Sequence, residues 1–389
     1  MLQKDEYITE QKCYDFKVIL KLAQIYAKGC FGWSWYQKNE VEFLRKFCKL
    51  HTAKFAVATS SGTAAIEASL RVLGVKAGDE VIIPAFTWLS AATAVAAIGA
   101  IPVITDIDPE TFCLDSKKAE EAITEKTKVI MPVHLFSAIA DMDSINKVAK
   151  MHNLKVLEDC AHVHGAKYKQ QGVGTIGDMG IFSFQQSKLM SCGEGGAIIT
   201  NNLDLVYPTD AAVHMGWSAF RGKNPMTNVP CSKSLMTEFQ AAILSSQCDD
   251  LIALNEKREE NANYFESLFD DFPYIKFQKT SQGTTRRSYY YLAFLLNTEY
   301  LKDGINKYHI LNDLNKEKLP ALNGWGVPIY KHEFWNIPQN LYVKKDTPIA
   351  EDISMNKVLA FPHQFLLIKK KNLKKAAEIV KKVIKKYVI

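Results

Sequence analysis

From Lys54 to Thr200 short apolar runs alternate with helical stretches, and this alternation limits the possible folds more than any other feature of the chain. Phe55–Ala58, Val81–Ile83, Pro102–Thr105, Val129–Val133, Lys155–Glu158, Gly180–Phe184 and Ala197–Thr200 read as strands. Helical patterns such as Ala64–Leu73 and Ser144–His152 lie between most of them. Repeated strand–helix–strand units predict an α/β fold with a mainly parallel seven-stranded sheet covered on both faces. Ligands of such sheets collect at the carboxyl ends of the strands.

Val81 to Thr105 carries no charge and is long enough to cross a bilayer. Pro84, Gly99 and Pro102 punctuate it, and Thr87, Ser90 and Thr93 interrupt it. It reads as a strand, a buried helix over Trp88–Ile98 and another strand, so no membrane segment is expected.

Beyond Met236 the pattern changes. Phe239–Leu268 reads as one long helix, Ser288–Leu296 as an aromatic strand, and Tyr300–Leu314 as a further helix. The basic stretch Lys369–Lys386 closes the chain as an amphipathic helix packed on the body, with Leu373, Ala376, Ala377, Val380, Ile384 and Tyr387 at helical spacing. With 389 residues, the expected division is an N-terminal arm and large domain over 1–245, then an interdomain helix and a smaller C-terminal α+β domain over 246–389. The formal charge of +6 sits mainly in that last helix, which argues against a nucleic-acid face. Eight scattered cysteines without a Cys-x-x-Cys pair, and an N-terminus without an apolar leader, point to the cytoplasm.

Three short segments carry chemistry. Ser60-Ser61-Gly62-Thr63 follows the first strand and opens a helix, where unpaired N–H groups and the dipole favour a phosphate; an ordinary N-cap is the plainer reading. Asp159 ends a buried strand, where a carboxylate needs a cationic partner such as a protonated pyridine nitrogen. A metal held by Asp159, Cys160, His162 and His164 is disfavoured, because alternate residues of an extended segment face opposite ways. Lys188 follows Ser183 and precedes Gly193-Glu194-Gly195-Gly196, a place where desolvation makes an amine nucleophilic and able to form a Schiff base, although surface charge is the plainer reading of a single loop lysine. Gly172-x-Gly174-x-x-Gly177 matches a dinucleotide fingerprint, but a strand rather than a helix follows it.

These segments, taken in order, resemble the DegT/DnrJ/StrS sugar aminotransferases, enzymes of pyridoxal 5'-phosphate (PLP) with the fold type I of aspartate aminotransferase. The resemblance rests on Ser61-Gly62-Thr63, Gly78-Asp79-Glu80-Val81, Phe86-Thr87-Trp88, Asp106-Ile107-Asp108, His134-Leu135-Phe136, Glu158-Asp159-Cys160-Ala161-His162, Ser183-Phe184, Lys188 and the glycine run after it. It implies that Lys188 bonds the cofactor and later carries the proton. Asp159 would pair with the pyridinium, His162 would bond the ring hydroxyl, and Trp88 would stack on the ring. Ser61, Gly62, Thr63 and Ser183 would hold the phosphate. His134, Tyr330 and His332 are the implied substrate contacts, with a surface loop packed by aromatics the equal reading for Tyr330 and His332, and Trp33 and Trp35 either line the mouth or pack the N-terminal arm. Glutamate or glutamine would donate to a keto sugar or keto cyclitol by a ping-pong reaction in a homodimer with interface sites. Ser183-Phe184-Gln185-Gln186-Ser187-Lys188 resembles the branch acting on keto cyclitols and aminobenzoate precursors.

Two departures stand out. Ser137, Ala138 and Ile139 replace a usual Gly-x-Pro. Lys233 stands where relatives place the asparagine that reaches the partner's phosphate, leaving Asn228 as the candidate replacement. A dehydratase of the same family, which generally carries histidine in place of the lysine, and a PLP-binding regulator without turnover are the alternatives.

Overall fold

In the computed structural model, which describes residues 16–29, 37–216, 230 and 232–389, all seven expected strands form. They are β1 (Phe55–Thr59), β2 (Glu80–Pro84), β3 (Ile101–Thr105), β4 (Thr127–Ile130), β5 (Lys155–Asp159), β6 (Met179–Ser183) and β7 (Gly196–Thr200). They lie side by side in the order β1-β7-β6-β5-β4-β2-β3, with Val343–Lys344 adding an eighth, parallel strand beside β3. That strand is two residues long, too short to leave a periodic signal in the sequence. Only β7 runs against its neighbours, so β1, β5 and β6 finish on the same edge. The strands are buried on both faces, which is why they read as continuous apolar runs rather than alternating ones.

Val81 to Thr105 resolves into β2, the helix Ser90–Ala97 and β3. Among the described residues no helix is long and apolar enough to cross a membrane. The long helix runs over Glu238–Ser267 and starts with a capping box. Gln240 N–H donates to Thr237 Oγ1 (3.3 Å), and Thr237 N–H donates to Gln240 Oε1 (2.7 Å).

The expected helix Tyr300–Leu314 is interrupted. A 3-10 turn at Thr298–Tyr300 is separated from the helix Lys307–Lys316 by Gly304 at φ +74, and Asn306 caps the new start. Ile275–Phe277, Tyr291–Leu296 and Val358–Pro362 form an antiparallel sheet with its own aromatic core of Phe265, Phe294, Phe361 and Phe365. The terminal helix Lys370–Lys385 buries Leu373, Ala376, Ala377, Val380, Val383 and Ile384 against that core and turns its lysines outward. Tyr290, Ile329 and Ile337 instead join the core of the large sheet, so the C-terminal part of the chain also reaches the strand ends.

Candidate active site

A cavity of about 460 Å³ opens at the carboxyl ends of β1, β5 and β6. Ser61, Gly62, Thr63, Trp88, Asp159, His162, Ser183 and Lys188 all line it. Five strands of the sheet and more than a hundred residues lie between Ser61 and Lys188 in the chain, and the mainly parallel sheet brings them to one edge.

The expected phosphate seat is the start of the helix Gly62–Val72. Ser61 is its N-cap, with Oγ accepting from Ala64 N–H at 3.1 Å, so the plain capping role is real. The N–H groups of Gly62 and Thr63 meet no protein acceptor among the described residues, and with the helix dipole they favour an anion. The seat is narrow. A Cβ on Gly62 would stand 2.8 Å from Ser183 Cβ, so only glycine lets the helix start approach the end of β6 this closely. The Ser183 carbonyl faces His164 Nε2 at 2.9 Å, which fixes that strand end from behind.

Asp159 is buried at the end of β5. Its Oδ1 accepts from Ala161 N–H at 3.0 Å, while Oδ2 has no protein partner among the described residues. Burial holds this carboxyl above the ordinary range, against the lowering pull of the Ala161 N–H, Lys188 and His134. An unpartnered carboxylate oxygen on a cavity wall suits a protonated pyridine nitrogen. His162 accepts from Phe136 N–H through Nδ1 at 3.3 Å. Burial, with the nearby Lys188 and His164, keeps its ring neutral. The remaining proton therefore belongs on Nε2, where it can be donated.

Lys188 is half-buried in the turn after β6, its N–H bonded to Gln185 O at 2.9 Å. Burial lowers its amine below the ordinary lysine range, while Tyr290 and Asp159 pull it back up. Trp88 is 43% exposed, with its indole 6.0 Å from Trp325 and 5.5 Å from the His332 ring. An amine, a carboxylate with an open oxygen, a donor for a ring hydroxyl and an anion seat thus fit PLP without rearrangement.

The three implied substrate contacts separate. His332 stands at the mouth beside Trp88. Tyr330 is off the cavity wall, its hydroxyl 2.6 Å from both Thr347 Oγ1 and Glu351 Oε1. His134 is fully buried and also off the wall. Nε2 lies 3.1 Å from Glu158 Oε2, and Nδ1 accepts from Ala140 N–H at 3.1 Å, so neither nitrogen is left for a substrate. Asn228, Trp33 and Trp35 lie outside the described residues.

His134, Glu158 and Cys160 place one ligand-type atom each within 4.8 Å of one another. The Glu158 carboxylate, however, already accepts from the N–H groups of Gly174 (2.9 Å), Ile176 (2.7 Å) and Gly177 (2.7 Å) besides facing His134. The Gly172-x-Gly174-x-x-Gly177 segment is therefore a nest for a buried carboxylate. The strand β6 that follows it confirms that it is not the opening of a nucleotide-binding helix.

Tyr290, Trp325, Gln185, Ser187 and Glu194 also line the cavity, and the sequence assigned none of them a role. Trp325 had one visible signal, its place between Gly324 and Gly326. All three residues have positive φ (+56, +70 and +74), an unusual backbone for a bulky side chain.

A model of the DegT/DnrJ/EryC1/StrS aminotransferase family matches residues 22–383. The L-glutamine:2-deoxy-scyllo-inosose aminotransferase of Streptomyces lividus is 38% identical over 266 residues, covering 66% of this chain and 62% of that relative. The chain thus spans less than two thirds of that protein's length. A putative L-glutamine:3-amino-2,3-dideoxy-scyllo-inosose aminotransferase of Micromonospora echinospora is 31% identical over 360 residues, covering 88% of this chain and 85% of its own. Among solved structures, 3-amino-5-hydroxybenzoic acid synthase is similar with TM-score 0.88 and 28% identity over 98% of this chain and 100% of its own. The NtdA protein of Bacillus subtilis, with bound cofactor PMP, is similar with TM-score 0.81 and 27% identity over 98% of this chain and 84% of its own. The fold is that of the type I PLP enzymes, and the chain belongs to the DegT/DnrJ/EryC1/StrS aminotransferase family.

Proposed function

We propose that this protein is a PLP-dependent aminotransferase that moves an amino group from glutamine, or glutamate, to a keto cyclitol. A keto sugar is the alternative acceptor. The observation that carries this reading is the meeting of Lys188, the open oxygen of Asp159 and the open N–H groups of Gly62 and Thr63 in one cavity. Bound PLP supplies an electron sink and the carbon that carries the amine between the two half-reactions. The chain supplies the rest. Asp159 keeps the ring nitrogen protonated, His162 Nε2 donates to the ring hydroxyl, and Trp88 covers the ring. Gly62, Thr63, Ser61 and Ser183 hold the phosphate. Lys188 Nζ bonds the cofactor, and once released it takes a proton from one carbon and returns it to the other.

The preference for a cyclitol rests on the two relatives described as scyllo-inosose aminotransferases. The reading also takes the chain as a cytoplasmic homodimer with Asn228 reaching the partner's phosphate, divided into units 1–245 and 246–389. Phe16, Ile19, Leu20 and Tyr26, exposed on the helix Phe16–Lys28, support a second copy by offering an apolar face for it to cover.

The test begins with colour. Purified protein should be yellow, and borohydride should leave a reduced pyridoxyl group on Lys188, found by peptide mass spectrometry. Lys188→Ala should lose both. Glutamine should bleach the wild type, and 2-deoxy-scyllo-inosose should restore the colour better than a nucleotide-linked keto sugar. An unmodified Lys188 after borohydride would end the reading. Bound PLP that no amino donor bleaches would favour a regulator without turnover.

A further inference from the structure

We propose that Tyr290 is a positioning residue that takes the Lys188 amine against its ring whenever the amine is not bonded to the cofactor. This rests on the function proposed above and adds to it a part supplied by the C-terminal portion of the chain.

Tyr290 immediately precedes the strand Tyr291–Leu296, far from Lys188 in sequence, yet its ring centroid is 4.6 Å from Lys188 Nζ. The ring cannot swing away. It stacks on His162 at 4.1 Å with 17° between planes, and on Tyr291 at 4.3 Å with 18°. Its backbone is held at both ends, the N–H donating to Phe136 O and the carbonyl accepting from His363 N–H, each at 3.0 Å.

The hydroxyl is tethered as well, and the direction of the tether follows from its neighbours. Ser187 O–H donates to Gln185 Oε1 at 2.7 Å, so its proton is committed. The 2.9 Å contact between the Ser187 and Tyr290 hydroxyls then has Tyr290 as donor. Tyr291 O–H donates in turn to Tyr290 at 3.5 Å. The chain of hydroxyls ties Tyr290 to the residue next to Lys188, so ring and amine move together.

The site gives an ammonium little else. Asp159 is the facing carboxylate, His162 and His164 are buried and neutral, and Glu194 lines the same cavity. An ammonium over an aromatic face is stabilised by the ring quadrupole, which keeps the free amine on the cavity wall rather than out in solvent. Loss of the ring removes that stabilisation from the charged form only. The amine should then titrate at lower pH, by roughly 0.4 to 1.5 pH units for a contact of ordinary strength.

The experiment uses the full-length protein freed of PLP, so it does not depend on turnover. Lys188 acetylation by acetic anhydride is measured against pH by peptide mass spectrometry in wild type, Tyr290→Phe and Tyr290→Leu. The expected result is a midpoint lowered in Tyr290→Leu and largely retained in Tyr290→Phe, which keeps the ring. An unchanged midpoint in Tyr290→Leu would overturn the proposal and leave Tyr290 as packing. If Tyr290→Leu does not fold, the tether decides. Tyr290→Phe and Ser187→Ala should each slow the reaction of Lys188 with added PLP, and the double variant should be no slower than the worse single. Fully additive effects would overturn the proposal. An unmodified Lys188 after borohydride on the loaded wild type instead removes the underlying function, so the two failures are distinct.

Discussion

Gly62→Ala tests whether the phosphate seat works through close approach. The added methyl would stand 2.8 Å from Ser183 Cβ and 3.3 Å from both its Cα and Oγ. Ordinary carbon contact begins at about 3.5 Å, so the helix start and the end of β6 must separate by about 0.7 Å. Such overpacking costs about 1–3 kcal/mol. Alanine recovers at most about 1 kcal/mol of helix propensity, and less at a first helical residue. Stability of the cofactor-free protein should therefore fall, by up to about 3 kcal/mol.

Binding should suffer as well. The separation moves the Ser183 hydroxyl away from the N–H groups of Gly62 and Thr63, and one or two charge-assisted hydrogen bonds to phosphate are weakened. At about 1.5–3 kcal/mol for one such bond, the Kd for PLP should rise roughly 10- to 150-fold. The assay is titration of PLP into cofactor-free protein, followed by visible absorbance, with thermal unfolding of the same samples. Ser183→Gly removes the obstructing Cβ, so its stability loss combined with Gly62→Ala should be smaller than the sum of the two singles. Wild-type PLP affinity in Gly62→Ala, or strictly additive stability losses, would refute the steric argument.

Three further outcomes follow from the buried titrating groups. Glu158→Gln turns an amide N–H₂ toward backbone N–H donors that now bind a carboxylate, and should cost about 2–4 kcal/mol in urea unfolding without changing the m-value. His51, His162, His164 and His363 are all held by burial below the ordinary histidine range, His51 and His363 at about 3. Their stabilising contribution is therefore complete above the ordinary histidine pKa and is lost as pH falls, because the unfolded chain takes up the protons first. Each steepens the acid-side loss by up to about 1.4 kcal/mol per pH unit. Glu40, raised by burial to about 7, works in the opposite direction. Urea midpoints between about pH 7 and 5 should fall steeply, and a flat profile would contradict the buried, neutral imidazoles. Asp159→Asn should raise the thermal midpoint of the cofactor-free protein at neutral pH, because burial makes the ionised carboxylate costly there. The same change should nearly abolish bleaching by glutamine, and a variant that bleaches normally would remove Asp159 from its role.

The half of the cavity proposed to hold the cofactor was legible because its residues are local to strand ends. Asp159 ends β5, Lys188 follows β6 and Ser61-Gly62-Thr63 follows β1, so finding the strands was enough to find the edge where the three meet. The part lined by Tyr290 and Trp325 was not, and the reason is physical. Tyr290 and Trp325 reach the cavity because Tyr290, Ile329 and Ile337 pack into the core of the large sheet, a long-range event with no local pattern. The Tyr289-Tyr290-Tyr291 run reads only as an aromatic strand. His134 shows the converse failure, since a histidine just past a strand looks available until Glu158 and the Ala140 N–H are seen behind it. Glu158 itself was hidden by the glycine pattern that holds it.

This division has a consequence for specificity. Apart from Asn228, the groups proposed to hold PLP come from the first 188 residues, while Trp325 and His332, which flank Trp88 at the mouth, come from the C-terminal portion. Trp325 keeps its place in spite of a left-handed backbone, at φ +70, that costs a tryptophan about 1–2 kcal/mol. Its ring lies 5.4 Å from His162 and 5.2 Å from Phe136, so packing against the cofactor side compensates the backbone and fixes the indole as a rigid wall. A wall of that kind discriminates by shape, because it cannot retreat from a bulky acceptor without giving up those contacts. Changes of acceptor should therefore be sought first in the Gly324–His332 segment, where replacing Trp325 alters what fits while leaving Lys188, Asp159 and the phosphate seat untouched.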